Sequence, residues 1–193
     1  MVIEGKTLGV GFDDSNHAGS SKGEIVVATF SFLDEDRLVR EFSMTRNYPF
    51  ALSAIQEDGR DYRFTVLTAE RYRHSSLNLP RVAPYLVRNY LRTCRNFSRL
   101  CLYFDGRMDI TSKQMLREEF REFPEVVIAN FIKKQDGGNR LVRDSNRRIR
   151  KKRVLKRMRC PRLVWLADNL ASGFNSEYTF EDLVSDEKMV VII

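Results

Sequence analysis

A chain of 193 residues with 42% hydrophobic residues and a net charge of +7 is sized for one domain with a real core and is too apolar for disorder. No run of about 18 apolar residues occurs, which excludes a membrane-spanning helix. The first residues, with Glu4 and no long apolar stretch, do not read as a secretory signal. The three cysteines, Cys94, Cys101 and Cys160, lack paired spacing, so a disulfide framework is excluded and a reducing, cytoplasmic setting is expected.

The first element is an apolar strand, Thr7 to Phe12, that ends in Asp13-Asp14-Ser15. A polar loop, Asn16 to Gly23, leads into a second apolar run, Glu24 to Leu33, and the two make a hairpin. Asp is a poor strand former. Two in succession at a strand end either open a turn or offer carboxylate oxygens to a hard cation such as Mg²⁺ or Mn²⁺. His17, in the adjoining loop, is either polar surface or a proton carrier. Asp34-Glu35-Asp36 reads as a turn, and Arg37 to Met44 as a third antiparallel strand. Asn47 to Asp58 has no decisive period, Asp58-Gly59 marks a turn, and Tyr62 to Thr68 is β-rich. A helix is expected over Val82 to Phe97. Ala83, Val87, Tyr90, Leu91, Cys94 and Phe97 recur there at helical spacing, and Pro80 and Pro84 fall near its start.

The continuous apolar run Leu100 to Phe104 is the pattern of a strand buried on both faces. It ends in Asp105-Gly106, which is either a plain turn or a second carboxylate at a strand end. Thr111-Ser112-Lys113-Gln114 has the form of a capping box, opening a helix that packs through Met115, Leu116, Phe120 and Phe123. Val126 to Ile132 reads as another buried strand. The β-α-β order predicts a parallel pair, and ligands of such sheets gather at the carboxyl ends of the strands.

Charge is concentrated in one window. Residues 140–159 hold eleven Lys or Arg against a single acid, Asp144, so the window carries +10 and the remainder of the chain −3. An exposed or mobile helix is expected there, with Arg147, Arg148, Arg150, Lys151, Lys152 and Arg153 available to phosphates. A solvated surface is the plainer reading, but one acid cannot balance eleven bases. A membrane surface fits less well, because Ile149 falls opposite Val154, Leu155 and Met158 on a helix. Pro161 to Gly173 then reads as a buried helix, with proline near its start and glycine past its end. Asp168 interrupts that apolar run. It pairs with an arginine such as Arg162 or Arg143, or it binds metal, because an unpaired buried charge costs several kcal/mol.

Taken together, Asp13 on a first strand, Asp105 on a later parallel strand and Asp168 on a late helix resemble the carboxylate constellation of the ribonuclease H-like superfamily. The segment Gly11-Phe12-Asp13-Asp14-Ser15-Asn16 with Gly23 to Ala28 looks like that superfamily's opening hairpin. Leu102 to Gly106 resembles the central strand of Piwi domains and type 2 RNase H. Leu166-Ala167-Asp168-Asn169-Leu170-Ala171 is similar to an uncharacterised branch that pairs a first-strand Asp-Glu-Ser with a late Leu-Ala-Asp. Here Asp14 stands where that branch has Glu, and the Asp-Glu-Ala-Gly-Arg-Gly string of type 2 RNase H is missing.

The resemblance implies a single ribonuclease H-like α/β domain over residues 1–193, a mixed sheet of about five strands flanked by helices. It implies a metal-dependent nuclease acting on RNA or DNA by a two-metal mechanism. Asp13, Asp105 and Asp168 would bind Mg²⁺ or Mn²⁺, with Asp14 or Glu119 assisting. A non-catalytic nucleic-acid-binding module using residues 140–159, or a scaffold for an acidic protein, are the competing classes.

Overall fold

Alternating runs of Val, Ile, Leu and Phe separated by Gly and Asp turns produce a sheet with both faces covered. The computed structural model describes residues 6–15, 23–32, 38–41, 48–57, 59–68, 78–93, 97–105, 108–131, 139–143, 149–153 and 158–192, with 38–41, 131, 139–143, 149–153 and 158–161 described by their backbone. In chain order the elements are β1 (Thr7–Ser15), β2 (Glu24–Ser31), β3 (Leu38–Glu41), α1 (Tyr48–Glu57), β4 (Asp61–Leu67), α2 (Asn78–Leu91) and β5 (Arg99–Asp105). They continue with α3 (Ile110–Glu119), β6 (Glu125–Phe131), β7 (Asn139–Arg143), β8 (Ile149–Arg153), β9 (Met158–Pro161), α4 (Arg162–Glu177) and α5 (Phe180–Ser185).

The main sheet has five strands in the order β4-β2-β1-β5-β6. β1 pairs antiparallel with β2 and parallel with β5; β4 joins β2 antiparallel and β6 joins β5 parallel. The expected mixed five-stranded α/β sheet is therefore present. Two short two-stranded ribbons, β3 with β9 and β7 with β8, are also present.

Strand alternation sends residues to two cores. Leu8, Val10 and Phe12 of β1 and Leu100, Leu102 and Phe104 of β5 pack with α2 and α3, where the Phe12 and Phe104 rings stack at 4.6 Å. Each such fully buried side chain contributes about 1.5–3 kcal/mol. On the opposite face Ile25, Val27 and Phe64 pack with α1 and α4, including Leu163, Leu166, Leu170 and Phe174. Gly11 of β1 lies directly beneath α4: a Cβ there would fall 2.3 Å from the Leu163 carbonyl carbon. Thr29 Oγ1, fully buried, donates to Leu163 O at 2.8 Å and ties the same turn of α4 to the sheet.

Several expectations are corrected. Arg37 to Met44 contributes β3, but its partner is β9 and not β2; β4 is the third strand of the main sheet. Asp109, not Thr111, caps α3, its side chain accepting from Ser112 N at 2.6 Å; Asp is the stronger cap. Gly173 lies inside α4, where any Cβ would meet the Tyr48 ring at 2.1 Å, so packing and not helix termination selects glycine. The described residues of the basic window form strands, not the expected helix. Near-uniform cations carry no period, and pairing of Leu141 with Lys151 and Val142 with Arg150 forms a hairpin instead.

At the β4 edge the chain closes on itself: Val190 N donates to Phe64 O at 2.7 Å, and Phe64 N to Lys188 O at 3.2 Å. Beside this seam Arg63, buried, donates to Asp61 Oδ2 at 2.7 Å and to Asn89 Oδ1 at 3.0 Å, and Lys188 Nζ reaches Asp61 Oδ1 at 3.0 Å. Burial pushes the Asp61 carboxyl up, but the hydrogen bonds from Lys188 and Arg63 outweigh it and hold the group below its ordinary range.

Candidate metal centre and nucleic-acid interface

The chain leaves β1 toward β2 on one side and leaves β5 toward β6 on the other, so the β1–β5 boundary is the sheet's switch point. At such a boundary the loops diverge and open a crevice at the carboxyl ends of the strands. The last residues paired between these strands are Phe12 and Phe104. Asp13 and Asp105 are the next residue on each, on neighbouring strands about 4.8 Å apart. Both follow the alternation of Gly11 and Tyr103, which places them on the α4 side.

Asp13 is only 5% exposed. Its Oδ1 accepts from Asp14 N at 2.8 Å, and its Oδ2 is buried with it. β1 continues through Asp14 to Ser15, paired with Ile25 of β2, so the carboxylate sits within a hairpin ladder and not in a turn. Ser15 Oγ accepts from Ile25 N at 3.1 Å and fastens this end. Asp105, the last residue of β5, is half-buried and pairs with Phe131 across to β6. Asp14 is half-buried and alternates to the α2–α3 side, so its backbone N–H, not its carboxylate, serves Asp13.

Asp168 is half-buried, not enclosed; the fully buried polar residue of α4 is its neighbour Asn169, whose Nδ2 donates to Trp165 O at 2.8 Å. Asp168 follows Val164 by one helical turn, and Val164 packs on Cys101 and Tyr103 of β5. Asp168 therefore lies along the flank of α4 that faces the strand carrying Asp105. The first turn of the helix lies over Gly11, and Phe174, near its end, packs against Phe64. Phe64 pairs with Val27, which pairs with Asp13. α4 thus advances toward the Asp13 end of the sheet, and Asp168 is between those two points.

Two carboxylates on adjacent strands, one of them buried, repel each other and favour a cation between them. Their oxygen chemistry suits Mg²⁺ or Mn²⁺. Among the described residues no three His, Cys, Asp or Glu side chains already converge as a metal-binding group. Asp13 and Asp105 are the residues that could hold such a cation.

Glu119 is elsewhere. α3 runs back from the carboxyl end of β5 for ten residues, so Glu119 ends at the opposite end of the sheet, 3.7 Å from Arg88. It lines a groove of about 480 Å³ with Arg81, Tyr85, Arg88, Met115 and Ile192, on the α2–α3 face. Of the basic residues, Arg150, Lys151, Lys152 and Arg153 belong to β8, while Arg147, Arg148 and His17 lie outside the described residues. The β7–β8 ladder sets Arg140 opposite Lys152 and Asn139 opposite Arg153. Among the described residues no helix is long and apolar enough to cross a membrane. Sequence reasoning passed over Gly11, Thr29 and Trp165. The signal for Trp165 was its position three residues before Asp168 on one helix.

No protein-family profile and no curated protein matches this chain.

Proposed function

We propose that the protein is a metal-dependent nuclease with a ribonuclease H-like sheet, and that Asp13, Asp105 and Asp168 hold Mg²⁺ or Mn²⁺ against a scissile phosphate. The observation that carries this reading is that buried Asp13 and Asp105 are each the next residue after Phe12↔Phe104, the last pair between β1 and β5, at the switch point of the sheet. The strand order β4-β2-β1-β5-β6, with β2 antiparallel, supports it.

A cation held by Asp13 and Asp105 would supply the chemistry of a metal hydrolase, lowering the pKa of an attacking water and stabilising the leaving oxygen. Asp13 is the fixed ligand, because Asp14 N holds Oδ1 and the β2 ladder holds the backbone. Asp105 supplies the second carboxylate from the neighbouring strand. Asp168 adds a third from a helix anchored through Thr29 and Gly11. The cations of residues 140–159 attract the polyanion and supply affinity that reads no sequence.

Incubation of the purified protein with single- and double-stranded RNA and DNA, with Mg²⁺ or Mn²⁺, should give cleavage. Asp13→Asn should abolish it and weaken Mn²⁺ binding in calorimetry, while folding is kept or improved because a carboxylate repulsion is removed. Binding without cleavage by the wild type under every metal condition would hand the protein to the second reading, a non-catalytic nucleic-acid-binding module. The six cationic residues placed in the β7–β8 ladder favour that alternative.

A further inference from the structure

α4 buries its leucines completely, with Leu163, Leu166 and Leu170 all at 0% exposure, yet holds its tryptophan half out of the core. Among the described residues Trp165 meets an exposed ring, Phe50 of α1, which is 53% exposed. The two rings lie 5.8 Å apart at 64°, so the edge of Phe50 braces the indole. Asn169, 2% exposed, bonds the Trp165 carbonyl and stiffens this turn.

The position of the pair is what gives it a ligand. Trp165 precedes Asp168 by three residues, which makes the two neighbours on the helix surface. The chain enters α4 directly from the cationic window, through Arg159 of β9 and Arg162 at the first position of the helix. Cations that track a phosphate backbone beside an aromatic face are the combination that binds unpaired nucleic acid. The adjacent Asp168 disfavours an anionic lipid surface, whereas a nucleobase is a neutral ring whose phosphate is carried by cations.

We infer that Trp165, braced by Phe50, stacks one unpaired nucleobase of the substrate, so that the site takes single-stranded nucleic acid beside the scissile phosphate. This deepens the nuclease reading and rests on it for the position of the phosphate.

Trp165 is the only tryptophan in the chain, so its fluorescence reports on this site alone. The full-length wild type is titrated in EDTA, where no cleavage occurs, with a thymine oligonucleotide, the same oligonucleotide carrying abasic positions, and its duplex. The single strand should quench the fluorescence; the abasic strand, of equal charge, and the duplex should not. Trp165→Ala should weaken single-strand affinity by about 5- to 150-fold and leave duplex affinity within about twofold. Trp165→Phe, which keeps a ring and the core contact, should restore most of the loss and separates stacking from misfolding. Equal affinity for normal and abasic strands, full affinity in Trp165→Ala, or no binding of any strand overturns the proposal. Cleavage by the wild type without base-dependent quenching sinks the stacking site alone. Base-dependent quenching without cleavage in Mg²⁺ or Mn²⁺ sinks the nuclease and leaves the stacking site standing.

Discussion

Gly11→Ala tests how α4 is seated over the candidate site. The new methyl would fall 2.3 Å from Leu163 C, 2.5 Å from Val164 N and 2.6 Å from Leu163 Cβ, where ordinary carbon contacts are about 3.5–4 Å. All three atoms belong to the first turn of a helix held by a fully packed core, so no side-chain rotation relieves the overlap. α4 must lift by about 1 Å. Overpacking of this kind costs about 1–3 kcal/mol, and straining the buried Thr29–Leu163 hydrogen bond adds about 1 kcal/mol. The expected loss is about 2–4 kcal/mol, which lowers the melting temperature by roughly 5–15 °C for a chain of this size. Gly9→Ala in the same strand is the control: its methyl would touch only the tip of Leu163, Cδ1 at 3.0 Å, with the nearest backbone at 3.7 Å, so it should cost under about 1 kcal/mol. Thermal and urea unfolding followed by circular dichroism measures both. Because Asp168 rides on α4, a shift of about 1 Å should also reduce cleavage by about 100-fold. Equal melting temperatures for the two variants would refute the close α4–β1 contact.

Reversal of Lys151, Lys152 and Arg153 to Glu should weaken nucleic-acid binding by a similar factor for every sequence. It should also flatten the log–log salt dependence by roughly 0.7–0.9 per lost phosphate contact; an unchanged slope in fluorescence anisotropy assigns the segment to another partner. Asp61→Asn removes the negative charge, and one of the two acceptor oxygens, that Arg63 and Lys188 meet at the β4 edge. Since the Asp61 carboxyl is held below its ordinary 3.8, its contribution is present above that value and is lost as pH falls through the lower folded value. The stability gap between wild type and Asp61→Asn should therefore be constant near neutrality and narrow below about pH 4; a gap that stays constant on acidification in pH-dependent urea unfolding would contradict this ion cluster.

What was readable in the sequence divides along a physical line. β1, β2 and β5 were legible because burial on both faces leaves unbroken apolar runs, and α2 because one face repeats at helical spacing; β6 was legible as a strand, but it is a half-buried edge strand and not the enclosed one its apolar run suggested. Their parallel and antiparallel sense followed from the order of elements. The partner of β3 was not legible, because Leu38 pairs with Pro161 and local alternation says nothing about so distant a neighbour. Gly173 looked like a helix stop because its reason, the Tyr48 ring, comes from α1. That Asp13 and Asp105 each follow the last pair between β1 and β5 was legible from the apolar runs that precede them. The half-exposed setting of Asp168 was not, since its apolar flanks suggested enclosure on all sides.

The central place of β1 has a consequence for how the chain reaches its native state. The strand is made first, yet its parallel neighbour pairs Thr7 with Arg99, and its covering helix begins at Arg162. Contacts so distant in sequence demand closure of long loops before any pairing is rewarded, which slows folding. The β1–β2–β4 meander can form early, but it leaves the Gly9–Gly11 surface bare until α4 arrives. The strand that carries Asp105 and the helix that carries Asp168 therefore join β1 late, and a nascent chain carries the cations of residues 140–159 before α4 covers the strand of Asp13.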